Sequence, residues 1–289
     1  MTFSIVGIDK ENKEVGFAIA SCSWNAGLVC RAIAEKGVIA SQAQGKSTFL
    51  AVFFEQLEKN KTLSEIMDHF KEIDENIENR QIGLVNFEGD TFAFTGDKCS
   101  HWAGHKTGKD YACQGNILVG PEVIDKMTFA FENTEGSLTD RLYSALQAGD
   151  NAGGDARGKQ NARVFVAKIG GGITRSDIVI DITIEDHDEP IKEIGRILNI
   201  RKNLMTIWKL YSEFQKADDE EKLVILDKAG KFLEDKEEAR YLDIWTSIGY
   251  EYLELGIEDK AIYYFKKALE ISPRMVASFE KSAEKNKLP

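Results

Sequence analysis

Apolar residues in this chain follow two rhythms, and the change between them falls at Glu185-Asp186-His187-Asp188-Glu189-Pro190. Before that acidic break, short β-branched runs alternate with amphipathic stretches; after it, only helical spacing remains. The first run, Met1 to Ile8, and the second, Val15 to Ser21, flank the polar connector Asp9 to Glu14 and predict a β-hairpin. Neither alternates cleanly, which predicts strands covered on both faces. Ser23-Trp24-Asn25-Ala26-Gly27 reads as a loop and Gly37 to Gln42 as a strand. Ser47 is the expected cap of a helix over Thr48 to Lys59, with Phe49, Val52, Phe53 and Leu57 on one stripe. Thr62-Leu63-Ser64-Glu65 is a capping box for a second helix carrying Ile66, Phe70 and Ile73.

A second hairpin is predicted over Gln81 to Phe87 and Thr91 to Thr95, followed by a loop bearing Cys99, His101, Trp102 and His105 and a strand at Tyr111 to Asn116. Helices return at Glu122 to Glu132, opened by Pro121, and at Leu138 to Ala148, ended by Gly149. A glycine-rich loop, Ala152 to Gln160, feeds strands over Ala162 to Ile169 and Asp177 to Ile184. Hairpins separated by helix pairs predict an α+β fold in which two stacked antiparallel sheets are covered by helices, a four-layer α-β-β-α arrangement. The break sets the expected domains at 1–187 and 188–289. In the second, Lys202 to Lys216 and Glu220 to Phe232 read as a helical pair. Trp245, Gly249, Tyr252, Ala261, Phe265, Ala268 and Pro273 fall at the spacings of a tetratricopeptide repeat, and Arg274 to Lys285 reads as a capping helix. One repeat cannot bury its own face, so these helices are expected to pack as an array.

Composition narrows the functions. Among the 289 residues, 43% are hydrophobic and 29% charged, so a packed core is expected. The net charge of -11 argues against a nucleic-acid partner, since such binding rests on neutralising phosphates. Cys22, Cys30, Cys99 and Cys113 form no C-x-x-C pair and read as reduced thiols of a cytoplasmic protein. The first apolar run is too short and lacks the basic flank of a signal peptide, and no stretch has the length of a membrane span.

The chemistry with most promise is at the start. Removal of Met1 would leave Thr2 with a hydroxyl and a free α-amine, whose reference pKa of about 7.7–8.0 suits it to take the hydroxyl proton. Gln114 and Asn116, amides at the end of a strand, are candidate oxyanion donors, worth about 2.7–4 kcal/mol each where such donors have been removed. Gly45-Lys46-Ser47 imitates the end of a P-loop, but Ala40 stands where that pattern needs glycine. Gly153-Gly154-Asp155-Ala156-Arg157-Gly158 runs from helix to strand, the reverse of a dinucleotide loop. Cys99, His101 and His105 lack the spacing of a common zinc site, so no metal and no cofactor is assigned.

Four motifs carry a resemblance: the start Met1-Thr2-Phe3-Ser4-Ile5-Val6; Trp102-Ala103-Gly104-His105; Gln114-Gly115-Asn116-Ile117-Leu118-Val119-Gly120-Pro121-Glu122-Val123; and Ala152 to Gln160. Together they resemble the uncharacterised bacterial and archaeal DUF1028 family of the N-terminal-nucleophile (Ntn) hydrolase superfamily, over Met1 to Asp186. That resemblance implies the same α-β-β-α sandwich and amide hydrolysis by an N-terminal threonine. It also departs in one place, since Ser21 stands where proteasome-like members carry an acidic residue. The expected activity is therefore an amidohydrolase acting on a small amide or peptide-like substrate. Thr2 is its nucleophile, Asn116 stabilises the oxyanion, and Asp155, Arg157, Gln160, Gln114 and His105 are the substrate-binding candidates. The competing expectation is a metabolite-binding scaffold without catalysis, whose tetratricopeptide-like helices dock a protein partner or join two copies of the chain.

Overall fold

The computed structural model of the chain describes residues 2–236 and 238–275. Two compact units divide it, Met1–Leu198 and Asn199–Pro289. The first holds the strands β1 (Thr2–Asp9), β2 (Glu14–Ser21), β3 (Cys30–Ile33), β4 (Gly37–Ala43), β5 (Arg80–Asn86), β6 (Thr91–Thr95), β7 (Trp102–Gly108), β8 (Tyr111–Leu118), β9 (Asn161–Ala167) and β10 (Ile178–Ile184). Its helices are α1 (Thr48–Glu58), α2 (Leu63–Glu72), α3 (Glu122–Asn133) and α4 (Leu138–Asn151).

Every strand pairing is antiparallel. Six strands form one sheet in the order β10-β9-β2-β1-β8-β7, and four form the other in the order β3-β4-β5-β6. Because successive side chains leave a strand on opposite sides, β1 serves two cores at once. Phe3 and Ile5 pack with Met127, Phe131, Leu142 and Leu146 of α3 and α4. Val6 and Ile8 pack instead with Val38, Ala40 and Val85 of the facing sheet. The outer face of the four-stranded sheet, Ile39, Ile82 and Leu84, is covered by Phe49, Phe53, Ile66 and Phe70 of α1 and α2. Phe49 and Phe70 stack with ring centroids 4.1 Å apart. The chain is thus a mixed α/β body with two antiparallel sheets, followed by helices.

Several local expectations change. The capping box at Thr62 and Glu65 forms, but Ser47 sits in helical conformation and its side chain caps nothing. The segment from Trp102 is a strand rather than a loop; paired only to β8 on the sheet edge, it needs no apolar alternation to be held. β3 is likewise an edge strand, in a stretch to which the sequence pattern assigned no element. Gly149 does not stop α4. It lies inside the helix, where a Cβ would come 2.7 Å from Met127 Cγ and 3.2 Å from a Phe3 ring carbon, so its role is close packing.

The break in compactness falls at Leu198–Asn199, inside α5 (Pro190–Phe214), and not at the acidic stretch before it. Ile191, Ile194 and Leu198 pack into the core beneath α3 and α4. A chain cut after Leu198 is therefore expected to unfold cooperatively in urea. One cut after Glu189 loses three buried aliphatic side chains, each worth about 1.5–3 kcal/mol, and is expected to melt far earlier or not to fold. Equal midpoints for the two truncations would contradict this.

The second unit comprises the rest of α5 with α6 (Asp219–Leu233), α7 (Leu242–Glu254) and α8 (Glu258–Ile271). Trp245 and Tyr252 of α7 are buried against α8, with Tyr252 stacked on Tyr264 at 5.5 Å. Gly249 lets the Phe265 ring approach to 2.7 Å of where a Cβ would stand. Ala261 and Ala268 keep the seam narrow. The expected helix over Arg274 to Lys285 lies, from Val276 on, outside the described residues. Among the described residues no helix is long and apolar enough to cross a membrane.

Candidate active site

Strand register places a row of polar side chains at one end of the six-stranded sheet. Thr2 pairs with Asn116 of β8, and Ser21 of β2 pairs with Asn161 of β9. Phe3 opposite Ala20 puts Thr2 beside Ser21, so the row runs Asn161, Ser21, Thr2, Asn116 across four adjacent strands. Alternation turns all four towards the facing sheet, since their neighbours Phe3, Ala20 and Ala162 belong to the core under the helices. Each is buried, Thr2 at 8% exposure being the most accessible. Thr2 Oγ1 donates to Ser21 Oγ over 3.3 Å. Met1 lies outside the described residues.

The backbone of Thr2 is held from the facing sheet and from the adjacent strand β8. Gln42 Nε2 of β4 donates to the Thr2 carbonyl at 3.2 Å, and Asn116 Nδ2 reaches the same oxygen at 3.4 Å. Both amides also donate to Gln81 Oε1 of β5, at 2.8 and 2.9 Å. Gln81 Nε2 in turn donates to the Gly115 carbonyl at 2.7 Å and lies within reach of the Gly104 carbonyl and Thr95 Oγ1. Gln81 thereby clasps the two sheets at the level of Thr2. One row inward, Gln114 Nε2 donates to Ser4 Oγ, which donates to Gln42 Oε1. A buried polar cluster of this kind stabilises one register only, because any slip would strand amides without partners.

The glycine-rich loop closes the same end. Asp155 is buried and its carboxylate accepts from the Cys22 backbone N–H at 2.8 Å and the Arg157 backbone N–H at 2.9 Å. Arg157 Nη2 pairs with the same carboxylate at 3.2 Å, its own side chain 41% exposed. The loop runs beside the end of β8 through Val119 N–H to Gly154 carbonyl and Ala156 N–H to Ile117 carbonyl bonds. Gly153, Gly154 and Gly158 all have positive φ, so backbone conformation accounts for the glycines. Behind the row a small cavity of about 80 Å³ is walled by Phe3, Ser21, Asp150, Asp155, Lys159 and Asn161. Burial works to lower the Lys159 ammonium, but its bonds to Glu189 and Asp150 outweigh this and raise it. Asn161 Nδ2 donates to Glu185, while its side-chain oxygen is buried without a partner.

Of the residues singled out from the sequence, Thr2 and Asn116 stand side by side. Both amide protons of Asn116 are already engaged, the weaker bond being the one to Thr2. Gln114 is fully buried, its side chain against Gly83 of β5. Gln160 is tied to Asp186 at 3.1 Å. His105 lies on β7, beyond β8 from Thr2; its Nδ1 is 2.8 Å from Thr95 Oγ1, and burial lowers its pKa. Gln42, Gln81 and Asn161 were not legible as a group. The available signal was polar residues at inward positions of strands otherwise buried on both faces.

The loop geometry carries a prediction. Asp155→Ala strips the acceptor from the Cys22 and Arg157 N–H groups and should cost about 2–3 kcal/mol. Arg157→Ala removes a half-exposed partner and should cost about 1 kcal/mol or less. Urea unfolding of the two variants checks the order; a larger loss for Arg157→Ala would reverse the assignment.

A family model described as "Family of unknown function (DUF1028)" matches residues 2–194. Among solved structures, the chain is similar to the crystal structure of protein SPO2555 from Silicibacter pomeroyi, which is described with the same family. The two are 26% identical with a TM-score of 0.62, over 68% of this chain and 88% of that one. No curated protein matches the chain.

Proposed function

The chain belongs to the DUF1028 family, a family of unknown function, and from that premise we propose that it is an N-terminal-nucleophile amidohydrolase using Thr2. The observation that supports this most is the setting of Thr2: first residue of a central strand, hydroxyl bonded to Ser21, carbonyl held by two amides. On this reading Met1 is removed and the α-amine takes the proton of Thr2 Oγ1 as that oxygen attacks an amide carbonyl. The tetrahedral intermediate collapses to an ester on Thr2, and the leaving amine departs with the proton from the α-ammonium. Water, deprotonated by the same amine, then hydrolyses the ester. Ser21, in the place of an acid, supplies a hydrogen bond and no charge. Asn116 is the assigned oxyanion donor, exchanging its long 3.4 Å bond to the Thr2 carbonyl for one to the substrate oxygen.

Substrate contact falls to Arg157, whose guanidinium is partly open to solvent, with Asp155 holding it and Gln160 nearby on the same loop. Gln114 and His105 act on this reading by supporting β1 and the sheet edge. The same reading takes the first unit as the α-β-β-α sandwich of the Ntn superfamily and α7 with α8 as a tetratricopeptide-like pair. Four free cysteines fit a reducing compartment such as the cytoplasm.

Intact-mass spectrometry of the purified protein tests the premise. The expected mature chain begins at Thr2, and an electrophilic amide analogue adds one equivalent to that residue. A chain that keeps Met1 quantitatively would sink the self-activated threonine.

A further inference from the structure

The second unit contains a larger cavity than the one walled by Phe3 and Ser21, about 280 Å³, between α5, α6 and α7. Its walls are aromatic and aliphatic: Trp208, Tyr211 and Phe214 from α5, with Ile225 from α6. Such side chains ordinarily close over one another in a helical core, yet Trp208 and Tyr211 remain 51% and 56% exposed. α7 contributes two carboxylates to the lining, Asp243 and Glu251, and no Lys or Arg lines the cavity. Among the described residues neither carboxylate forms an ion pair. Burial, with Glu254 beside it, raises the Glu251 carboxyl above the ordinary glutamate range, with Lys222 opposing.

We propose that this cavity is a docking site for a basic amphipathic segment of a partner protein. An apolar side chain of the segment enters between Trp208, Tyr211 and Phe214, and an adjacent Lys or Arg meets Asp243 and Glu251. Charge selects this occupant: an acidic lining on a chain of net charge -11 repels acidic segments and attracts basic ones. Size selects the mode, because the volume admits one or two anchor side chains and not a folded surface. The exposed rings of Trp208 and Tyr211 add cation–π attraction to the ionic one, the Phe214 ring being faced by Lys222 of its own chain. The site is independent of any chemistry at Thr2.

The test uses the full chain and two fluorescent synthetic peptides with the same Leu and Phe anchors, one carrying Lys and Arg between them and the other Glu. Anisotropy at low salt should show the basic peptide binding about tenfold tighter or more. The doubly substituted Asp243→Asn, Glu251→Gln protein should lose most of that preference. Trp208→Ala, at a half-exposed position, should weaken basic-peptide binding about tenfold with the melting temperature unchanged. Equal affinities for the two peptides, or no binding of either, would overturn the proposal. So would sedimentation showing a dimer that Trp208→Ala dissolves, which would assign the face to a second copy of the chain.

Discussion

Thr2→Ala is expected to lower amide turnover by about ten-thousandfold or more, the scale of loss when a nucleophile is removed from a covalent mechanism. The fold should survive. What binds β1 at this level is the Thr2 carbonyl, which accepts from Gln42 of the facing sheet and from Asn116 of the adjacent strand β8 and is untouched by the substitution. The hydroxyl gives up a long bond to Ser21, worth about 1 kcal/mol. Turnover of a small-amide panel by parent and variant, beside their melting curves, separates the two effects. Equal rates would reject Thr2 as nucleophile and turn attention to Cys22, which follows Ser21 and whose backbone is pinned by Asp155. A large fall in melting temperature would instead make Thr2 a structural residue.

Among single substitutions, the largest loss of stability is expected from Gln81→Leu. Leucine nearly matches glutamine in volume, so packing changes little, but the variant removes one acceptor and one donor group from a dry interior. Gln42 Nε2 and Asn116 Nδ2 lose their short bonds, and the Gly115 carbonyl loses its 2.7 Å donor. The two amides keep only their longer bonds to the Thr2 carbonyl, and with about 0.5–1.5 kcal/mol for each of the three short bonds lost, a total of about 3 kcal/mol is expected. That corresponds to about 10 °C in melting temperature for a body of this size. Turnover should fall as well, because the amides that hold the Thr2 carbonyl lose their anchor. A variant as stable as the parent would mean that the cluster is satisfied by water and that Gln81 clasps nothing.

Both predictions concern residues whose meaning differs sharply in how far it could be read from the chain. Thr2 was visible because its chemistry is local: a hydroxyl and an incipient amine on one residue need no neighbour to be recognised. The Thr62–Glu65 capping box was visible for the same reason, its bonds spanning three residues. The first hairpin followed from its two β-branched runs and their polar connector. The alternation of helix pairs with hairpins was enough to anticipate two covered antiparallel sheets, because burying one face of each element leaves few ways to stack them.

Gln81 could not be read that way. Its partners Gln42, Asn116 and Gly115 are 39, 35 and 34 residues distant, and only the stacking of one sheet on the other brings them together. Asp155 is 133 residues from the N–H it accepts, so its opposite charge at Arg157 was the only cue available, and the glycines around it hinted at a pocket when they serve positive φ. Pairing with β8 made the segment from Trp102 a strand, although its own sequence has no strand rhythm. Packing of Ile191, Ile194 and Leu198 moved the division between units past the acidic break, since burial outweighs the polarity of the residues before it. Elements closed by bonds between near neighbours were settled by local pattern. The Asn161–Ser21–Thr2–Asn116 row and its clasp were decided by register between strands distant in the chain, where each contact is favourable only after all the others have formed.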